Sequence, residues 1–490
     1  MPANVSNSKY YFFVFLVAGI VSAAFPSAVV AQGVGVEEVA KTLRKAVEFY
    51  RDRVSTEGGY LWKYAADLSL REGENPVDDR TVWVQPPGTP TVGLAFLRAY
   101  RVTGDRYYLD AAAEAGRCLV RGQLESGGWI YPIHFDPAKR KDFRYRTNAS
   151  GHAAKARNVS TLDDNTTQSA LVFLMELDEA LAFKDAAIHE AALYGLRKLI
   201  EAQYPNGAFP QVFRDDKRDP SKYPILTASF PPQGTEPTHE KEYWNFYTLN
   251  DNLALDVNRV FFVAAEVYEN SARDGKYAAA AKRLGDFLIA AQLPQPQPAW
   301  AQQYDFNMRP CWARKFEPAA VSGGESQGVI NALIELYRFT GDKKYLGPIP
   351  AAVAWLERSR LPDGKVARFY EMRTNRPLYM TKDYALTYSD ADVPTHYAFS
   401  VNLASWPADL QKDGPQAQAL QERYRNRALP KVDERQVEEV CRSLDARGAW
   451  VTEDILKSAP GKKAAQIIDS QVFVRNLDVL LAFLKEHTPR

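Results

Sequence analysis

Two phrases of the chain concentrate oxygen donors. Thr161-Leu162-Asp163-Asp164-Asn165 precedes a strongly apolar stretch beginning near Ser169, and Thr248-Leu249-Asn250-Asp251-Asn252 repeats its logic before another. Any single Asp or Asn at such a place can serve simply as a helix N-cap. Two adjacent carboxylates and an Asn exceed what a cap requires, and carboxylate with amide carbonyl is the hard donor set that Ca²⁺ selects. Trp312-Ala313-Arg314-Lys315-Phe316-Glu317-Pro318, followed by Val321-Ser322-Gly323-Gly324-Glu325-Ser326, adds two adjacent cations. Arg314 and Lys315 read as a solvated pair, as a bridge to Glu317, or as a clamp for an anion. From Val366 to Tyr379, Arg368, Arg373 and Arg376 are interleaved with Phe369, Tyr370 and Tyr379 after a glycine turn. Guanidinium forks among aromatic faces suit a polyanionic sugar better than a core, although such a loop also serves to bind neighbouring carboxylates.

These groups are far apart in sequence, so regular elements must bring them together. Most of residues 37–490 has apolar positions at three and four spacing, as in Gln168–Ala182, Leu193–Ala202, Arg259–Tyr268 and Val472–His487, which predicts helices. Strand-like alternation is scarce. Between the helices a Gly-aromatic phrase returns: Glu57-Gly58-Gly59-Tyr60, Gln123 to Trp129, Gln203 to Phe209, Arg360 to Val366 and Asp445 to Trp450. The separations are about seventy to ninety residues, or twice that where Gln292 to Gln303 holds a Pro-rich, degenerate copy. Thr103-Gly104-Asp105 recurs as Thr340-Gly341-Asp342, where Gly ends one helix and Asp begins the next. Two helices plus loops fit the period, and the expected architecture is an all-α ring or solenoid of helical hairpins with its glycine turns gathered at one end. A structural repeat with no site explains the glycines equally well.

Composition narrows the class. The 490 residues are 46% hydrophobic and 25% charged, which suffices for one large or two ordinary domains and excludes a disordered chain. With 61 basic against 60 acidic side chains, the formal charge of +1 gives no global field for nucleic acid. Lys9 precedes an apolar run from Tyr10 to Phe25, and Val29-Val30-Ala31 before Gln32 has the form of a signal-peptidase site. Residues 1–31 are therefore expected to be a secretory leader and 32–490 a secreted or periplasmic protein. The apolar run falls short of the ~20 residues of a membrane span. Cys118, Cys311 and Cys441 are too few and too widely spaced for a disulfide scaffold or a metal pattern and read as buried thiols.

Together the polar segments resemble the family 10 polysaccharide lyases, the pectic-acid lyases built on an incomplete α/α toroid. The resemblance rests on Gln85-Pro86-Pro87-Gly88-Thr89-Pro90, on Gln203 to Gln211, and on the Thr161–Asp164 and Thr248–Asp251 pairs. It rests most specifically on Ala313 to Pro318 with Ser322 to Ser326, and on Ala367-Arg368-Phe369-Tyr370-Glu371 with Thr374-Asn375-Arg376-Pro377. It spans roughly residues 40 to 400, with Asp215 to Glu242 resembling an insertion and residues 410–490 lying beyond the match as further expected helices. The resemblance implies cleavage of polygalacturonate, or a related acidic polysaccharide, by β-elimination assisted by Ca²⁺. It implies Asp163 and Asp251 at the metal–substrate site, with Asp164 a close competitor for the first and otherwise a substrate-binding group. Arg314 matches the base, and Arg368 and Arg376 match the clamp; Lys315, Tyr370 and Asn375 are expected beside the substrate.

The chemistry makes demands these residue types can meet. Elimination requires the C5 proton beside a uronate carboxylate to become acidic, and cations on that carboxylate stabilise the enolate-like charge. An arginine base must lose its own proton first, which neighbouring cations and desolvation favour. Two other classes compete. An inverting glycosidase would pair Asp163 or Asp164 with Asp251 or Glu317, and a carbohydrate-binding protein would keep the groove without turnover. An unsaturated, ultraviolet-absorbing product separates the lyase from both.

Overall fold

The computed structural model describes residues 34–148, 151–215, 218–270, 275–406, 429–459, 461 and 464–488. The expected leader, residues 1–31, lies outside them. No helix among the described residues is long and apolar enough to cross a membrane.

The helical periodicity becomes α1 (Val36–Phe49), α2 (Thr89–Thr103), α3 (Arg106–Gly122), α4 (Thr166–Ala180), α5 (Ala186–Ala202), α6 (Leu253–Glu269) and α7 (Lys276–Ala290). It continues as α8 (Gly323–Thr340), α9 (Ile349–Arg358), α10 (Glu434–Ser443) and α11 (Ser470–His487). Alternate helices form an inner run in which α11 packs on α2, α2 on α4, α4 on α6 and α6 on α8. The others lie outside it: α1 and α10 on α11, α3 on α2 and α4, α5 on α4, α7 on α6 and α8, and α9 on α8. The result is an incomplete α/α toroid, with the C-terminal hairpin beside the N-terminal one. Amphipathicity explains which helix goes where. α1 buries one stripe, Val39, Leu43, Ala46 and Val47, and leaves the rest to solvent, whereas α6 buries nearly every position from Leu253 to Ala265 because it is enclosed on several sides.

The repeated punctuation has a repeated physical job. In the turns at 124–128, 204–208, 361–365 and 445–449, the first backbone N–H donates to the fifth carbonyl and the glycine N–H donates back to the first. Gln123 and Gln203 each donate from Nε2 to the turn glycine's carbonyl and to a carbonyl of the next outer helix, Ala191 or Ala280. Gln292 does the same in the degenerate copy, to the Pro298 and Pro348 carbonyls. The Gly104 and Gly341 caps are left-handed as the sequence demands. Asp105 and Asp342 each cap the next helical segment, although after Asp342 its first turn is 3₁₀ rather than α.

At Gly207, φ is +93° and an added Cβ would sit 2.0 Å from the Arg283 carbonyl oxygen, whereas Gly364 has φ of +83° and open space around it. Gly207→Ala is therefore expected to destabilise by about 3 kcal/mol or more, through left-handed strain plus a backbone clash, and Gly364→Ala by only about 1–2 kcal/mol. Equal shifts in denaturant midpoint for the two would refute the packing role of the repeat.

Short antiparallel strand pairs occupy the turn end. Thr81–Trp83 pairs with Pro132–His134, Ser160–Thr161 with Val212–Phe213, Tyr247–Thr248 with Gln303–Tyr304, and Val321–Ser322 with Phe369–Tyr370. Each pair ties the segment entering an inner helix to the segment leaving the next glycine turn. This pairing holds the polar phrases in register at the N-terminal ends of α4, α6 and α8.

Candidate active site

The acidic phrases fold alike. Asp163–Asn165 and Asn250–Asn252 are single 3₁₀ turns, and in each the last two residues have positive φ: Asp164 +49° and Asn165 +57°, Asp251 +48° and Asn252 +62°. Asp and Asn tolerate this left-handed backbone better than other side-chain-bearing residues. Backbone conformation thus makes Asp164 the counterpart of Asp251, and Asp163 the counterpart of Asn250. The two turns touch, and one carboxylate oxygen from each of Asp163, Asp164 and Asp251 lies within 4.8 Å of the others.

Neighbours fix these carboxylates without neutralising them. Gln85 Nε2 donates to Asp164 (2.9 Å), and Trp83 Nε1 donates to the Gln85 side-chain oxygen Oε1 (3.0 Å). The Tyr131 hydroxyl lies 3.0 Å from Asp163 and 3.3 Å from Asp164. Asn250 Nδ2 donates to Asp251 (2.6 Å) and reaches Asp163 at 3.5 Å. Burial, then the nearby Asp251 charge, raises the Asp163 carboxyl above its ordinary range; burial, then Asp163, pushes Asp164 up to about 7.

Two guanidiniums face the trio. Arg368 donates from one terminal nitrogen to Glu325 (2.8 Å) and to Asp251 (3.3 Å), while its buried Nε has no hydrogen-bond partner. Arg314 grips Glu317 in a two-pronged pair, 2.7 and 2.5 Å, and its charge acts on Asp163. Burial works against both cations, but the carboxylates around them outweigh it and hold each guanidinium's proton more tightly than usual. Burial likewise works to raise Glu317, and Arg314 reverses it, leaving that carboxyl below its ordinary range. Tyr397 stands between the cations: its ring lies 4.5 Å from the Arg368 guanidinium carbon and 5.7 Å from that of Arg314, and its hydroxyl donates to Glu317 (3.0 Å).

The structure thus brings together Asp163, Asp164, Asp251, Arg314 and Arg368. Lys315 is exposed beside them. Three expected site residues sit elsewhere. Tyr370 is 1% exposed, and its hydroxyl is consumed by the Ala367 N–H and the Ser359 carbonyl. This is the place taken by Tyr304 over Ala301, a structural role repeated around the ring. Asn375 is a loop knot, accepting from Trp355 Nε1 (2.7 Å) and Gln297 Nε2 (3.0 Å) and donating to Ser359 (2.9 Å). Arg376 is exposed and stacks 3.4 Å over Tyr388, beside Glu371 rather than the acidic trio. Sequence reasoning missed Tyr131, Tyr397 and the holding role of Gln85; only Gln85 lay within a quoted motif.

All three cysteines are free thiols, with Cys118 and Cys311 buried.

The donor set fits a hard divalent cation. It is all oxygen and anionic, and the Asn250 Oδ1 beside it is buried without a hydrogen-bond partner. Among the described residues these three aspartates form the only such group of His, Cys, Asp or Glu.

Known proteins share parts of this chain's pattern. A family 10 polysaccharide lyase from Cellvibrio cellulosa, solved as a mutant with trigalacturonic acid, is 20% identical over 64% of this chain and 94% of its own, with a TM-score of 0.44. A cellobiose 2-epimerase from Bacillus thermoamylovorans is 14% identical over 92% of this chain and 99% of its own (TM-score 0.43). An α-mannanase from Bacteroides thetaiotaomicron is 12% identical over 92% and 96% (TM-score 0.41). No curated protein matches the sequence. The pectic acid lyase family model matches residues 136–367, a stretch that contains Asp163, Asp164, Asp251 and Arg314 and stops one residue before Arg368. Over those residues the chain carries the pattern of the pectic acid lyases, and the resemblance read from its sequence holds.

Proposed function

We propose that this protein is a polysaccharide lyase that cleaves polygalacturonate by Ca²⁺-assisted β-elimination. The observation that carries the reading is the convergence of three carboxylates from two matching turns with two guanidiniums from distant loops, inside the stretch that matches the pectic acid lyases or at its border. Asp163, Asp164 and Asp251 would hold the ion, with the Asn250 carbonyl oxygen beside them. When bound, Ca²⁺ supplies positive charge to the substrate carboxylate and so acidifies the adjacent C–H. Arg368, anchored by Glu325, is placed to bind a uronate oxygen by its fork. Arg314 is assigned the proton abstraction at C5, with Glu317 fixing the plane of its guanidine. Tyr397 keeps the two cations apart.

The geometry disfavours an inverting pair made from two of the aspartates. An inverting pair needs carboxyl groups about 6.5–9.5 Å apart to admit a water, and the aspartates are closer than that. Glu317, held ionised by Arg314, could enter such a pair only as the base, with Asp163 or Asp164 as the acid, so the product assay below decides between the two reactions. The apolar run from Tyr10 to Phe25 supports export, where polymeric substrate is met.

The test is an assay on polygalacturonate followed at the absorbance of the unsaturated product. Turnover is expected to fall by at least ~100-fold with a chelator and to return with Ca²⁺ alone. Reducing ends appearing without that absorbance would establish a hydrolase instead. Binding without cleavage would leave a carbohydrate-binding protein.

A further inference from the structure

A cationic feature lies outside the acidic trio, partly in the segment from Asp215 to Glu242 that is expected from the sequence to be an insertion. Val212, Phe213 and Arg214, the described part of the segment from Arg218 to Tyr223, and the loop at Glu242–Asn245 enclose a cavity of about 620 Å³. That is the size of a pocket for a ligand of several rings rather than a single ion. Its aromatic wall is Tyr204, Tyr223 and Phe306, with ring centroids 4.8 to 5.9 Å apart. Arg218 stacks 3.8 Å over Tyr204 and donates to the Ala202 carbonyl.

Three cations, Arg214, Arg218 and Lys222, and two carboxylates, Asp219 and Glu242, line this cavity. Among the described residues no ion pair is formed by Arg214, Arg218 or Lys222. Arg214 makes only a 3.4 Å contact with the Asn245 amide oxygen. The carboxylates have hydrogen-bond or ion-pair partners of their own: Asp215 with Lys198, Asp219 with the N–H and hydroxyl of Ser221, and Glu242 with Asn245, although the Lys222 charge also acts on Asp219. A lining with more cations than carboxylates, none of those cations in an ion pair among the described residues, beside an aromatic wall suits an anionic ligand with apolar ring faces.

Position ties the cavity to the first site. Its wall residue Val212 pairs with Thr161, two residues before Asp163, and the neighbouring Gln211 side chain acts to lower the Asp163 carboxyl. Arg214 follows directly on this strand. We infer that the cavity is a remote subsite of the same groove, which binds uronate residues of the polymer several sugars away from the bond that is cut. This rests on the reading of the protein as a uronan-binding lyase and assigns the inserted segment a part in selecting chain length.

Arg214→Gln with Lys222→Gln removes two of the charges and leaves the Arg218–Tyr204 stack intact. Binding of a galacturonate octamer and trimer is measured by calorimetry, and cleavage of each by product absorbance. The double variant is expected to bind the octamer about tenfold or more weakly, with a shallower salt dependence, and to bind the trimer as the wild type does. Where the wild type cleaves, the double variant's KM for the octamer should be raised similarly while its kcat matches the wild type's. Equal octamer affinity in wild type and variant overturns the subsite, whatever the enzyme does. Absence of eliminative cleavage by a wild type that shows this difference in binding overturns the lyase and keeps the subsite.

Discussion

Asp251→Ala is expected to abolish Ca²⁺-dependent elimination, with a loss of at least ~100-fold in turnover, while the helical circular dichroism is unchanged. Asp251 is the group through which the two halves of the site meet. It accepts from Asn250 beside it and from Arg368 across the ring, and its carboxylate faces both aspartates of the other turn. Its removal takes away one of three anionic donors and frees Arg368 from its second partner. The fold does not depend on it, because Asp251 lies in a one-turn 3₁₀ segment ahead of α6 and contributes nothing to the buried core. Loss of its charge also relieves repulsion that raises Asp163 and Asp164. Alanine at φ of +48° costs about 1–2 kcal/mol in backbone strain. Asp251→Asn avoids that strain and removes only the charge, so it separates the two effects. It should lose Ca²⁺ affinity as measured by calorimetry and keep the wild-type unfolding midpoint. Full activity in either variant, still sensitive to chelator, would reject the ligand assignment.

Legibility in the sequence followed the period of the signal. The toroid was readable because hairpins repeat, and even the degenerate copy from Gln292 keeps the glutamine that ties its turn to the next outer helix. The acidic turns were readable as a pair because Thr-Leu-x-Asp-Asn occurs twice. That phrase sets Asp164 rather than Asp163 opposite Asp251, and the backbone agrees, since the positive φ falls on Asp164 and Asp251. Tyr370 and Asn375 looked like ligand groups because they alternate with arginines. The real signal at Tyr370 is a different repeat, in which a tyrosine hydroxyl receives the N–H of the residue three before it, as in Leu61–Tyr64, Ala301–Tyr304 and Ala367–Tyr370. Tyr397 has no periodic neighbourhood at all. It arrives from a long irregular loop, and only the folded chain shows it between Arg314 and Arg368.

The assignment of the base predicts a pH signature. Arg314→Lys should lower turnover by at least ~100-fold, because a lysine cannot reproduce the planar, two-pronged grip on Glu317 that aims the reacting nitrogen. That loss alone does not distinguish a base from a clamp, and Glu317→Gln does. Glu317 holds the Arg314 proton more tightly than usual, so the neutral guanidine forms only at more alkaline pH. Replacing the carboxylate by an amide keeps hydrogen-bond acceptance at one oxygen and removes the charge. If Arg314 abstracts the C5 proton, the alkaline rise of kcat should move to lower pH in Glu317→Gln, and activity at neutral pH should fall less than in Arg314→Lys. If Arg314 only binds substrate, the variant should raise KM and leave the pH dependence of kcat where it was. Turnover retained in Arg314→Lys would transfer the abstraction to Arg368, which touches Asp251, and not to Arg376, whose guanidinium is stacked on Tyr388 in an outer loop. The discriminating quantity is the position of the profile rather than its height, since a merely structural role for Glu317 would lower the curve without moving it.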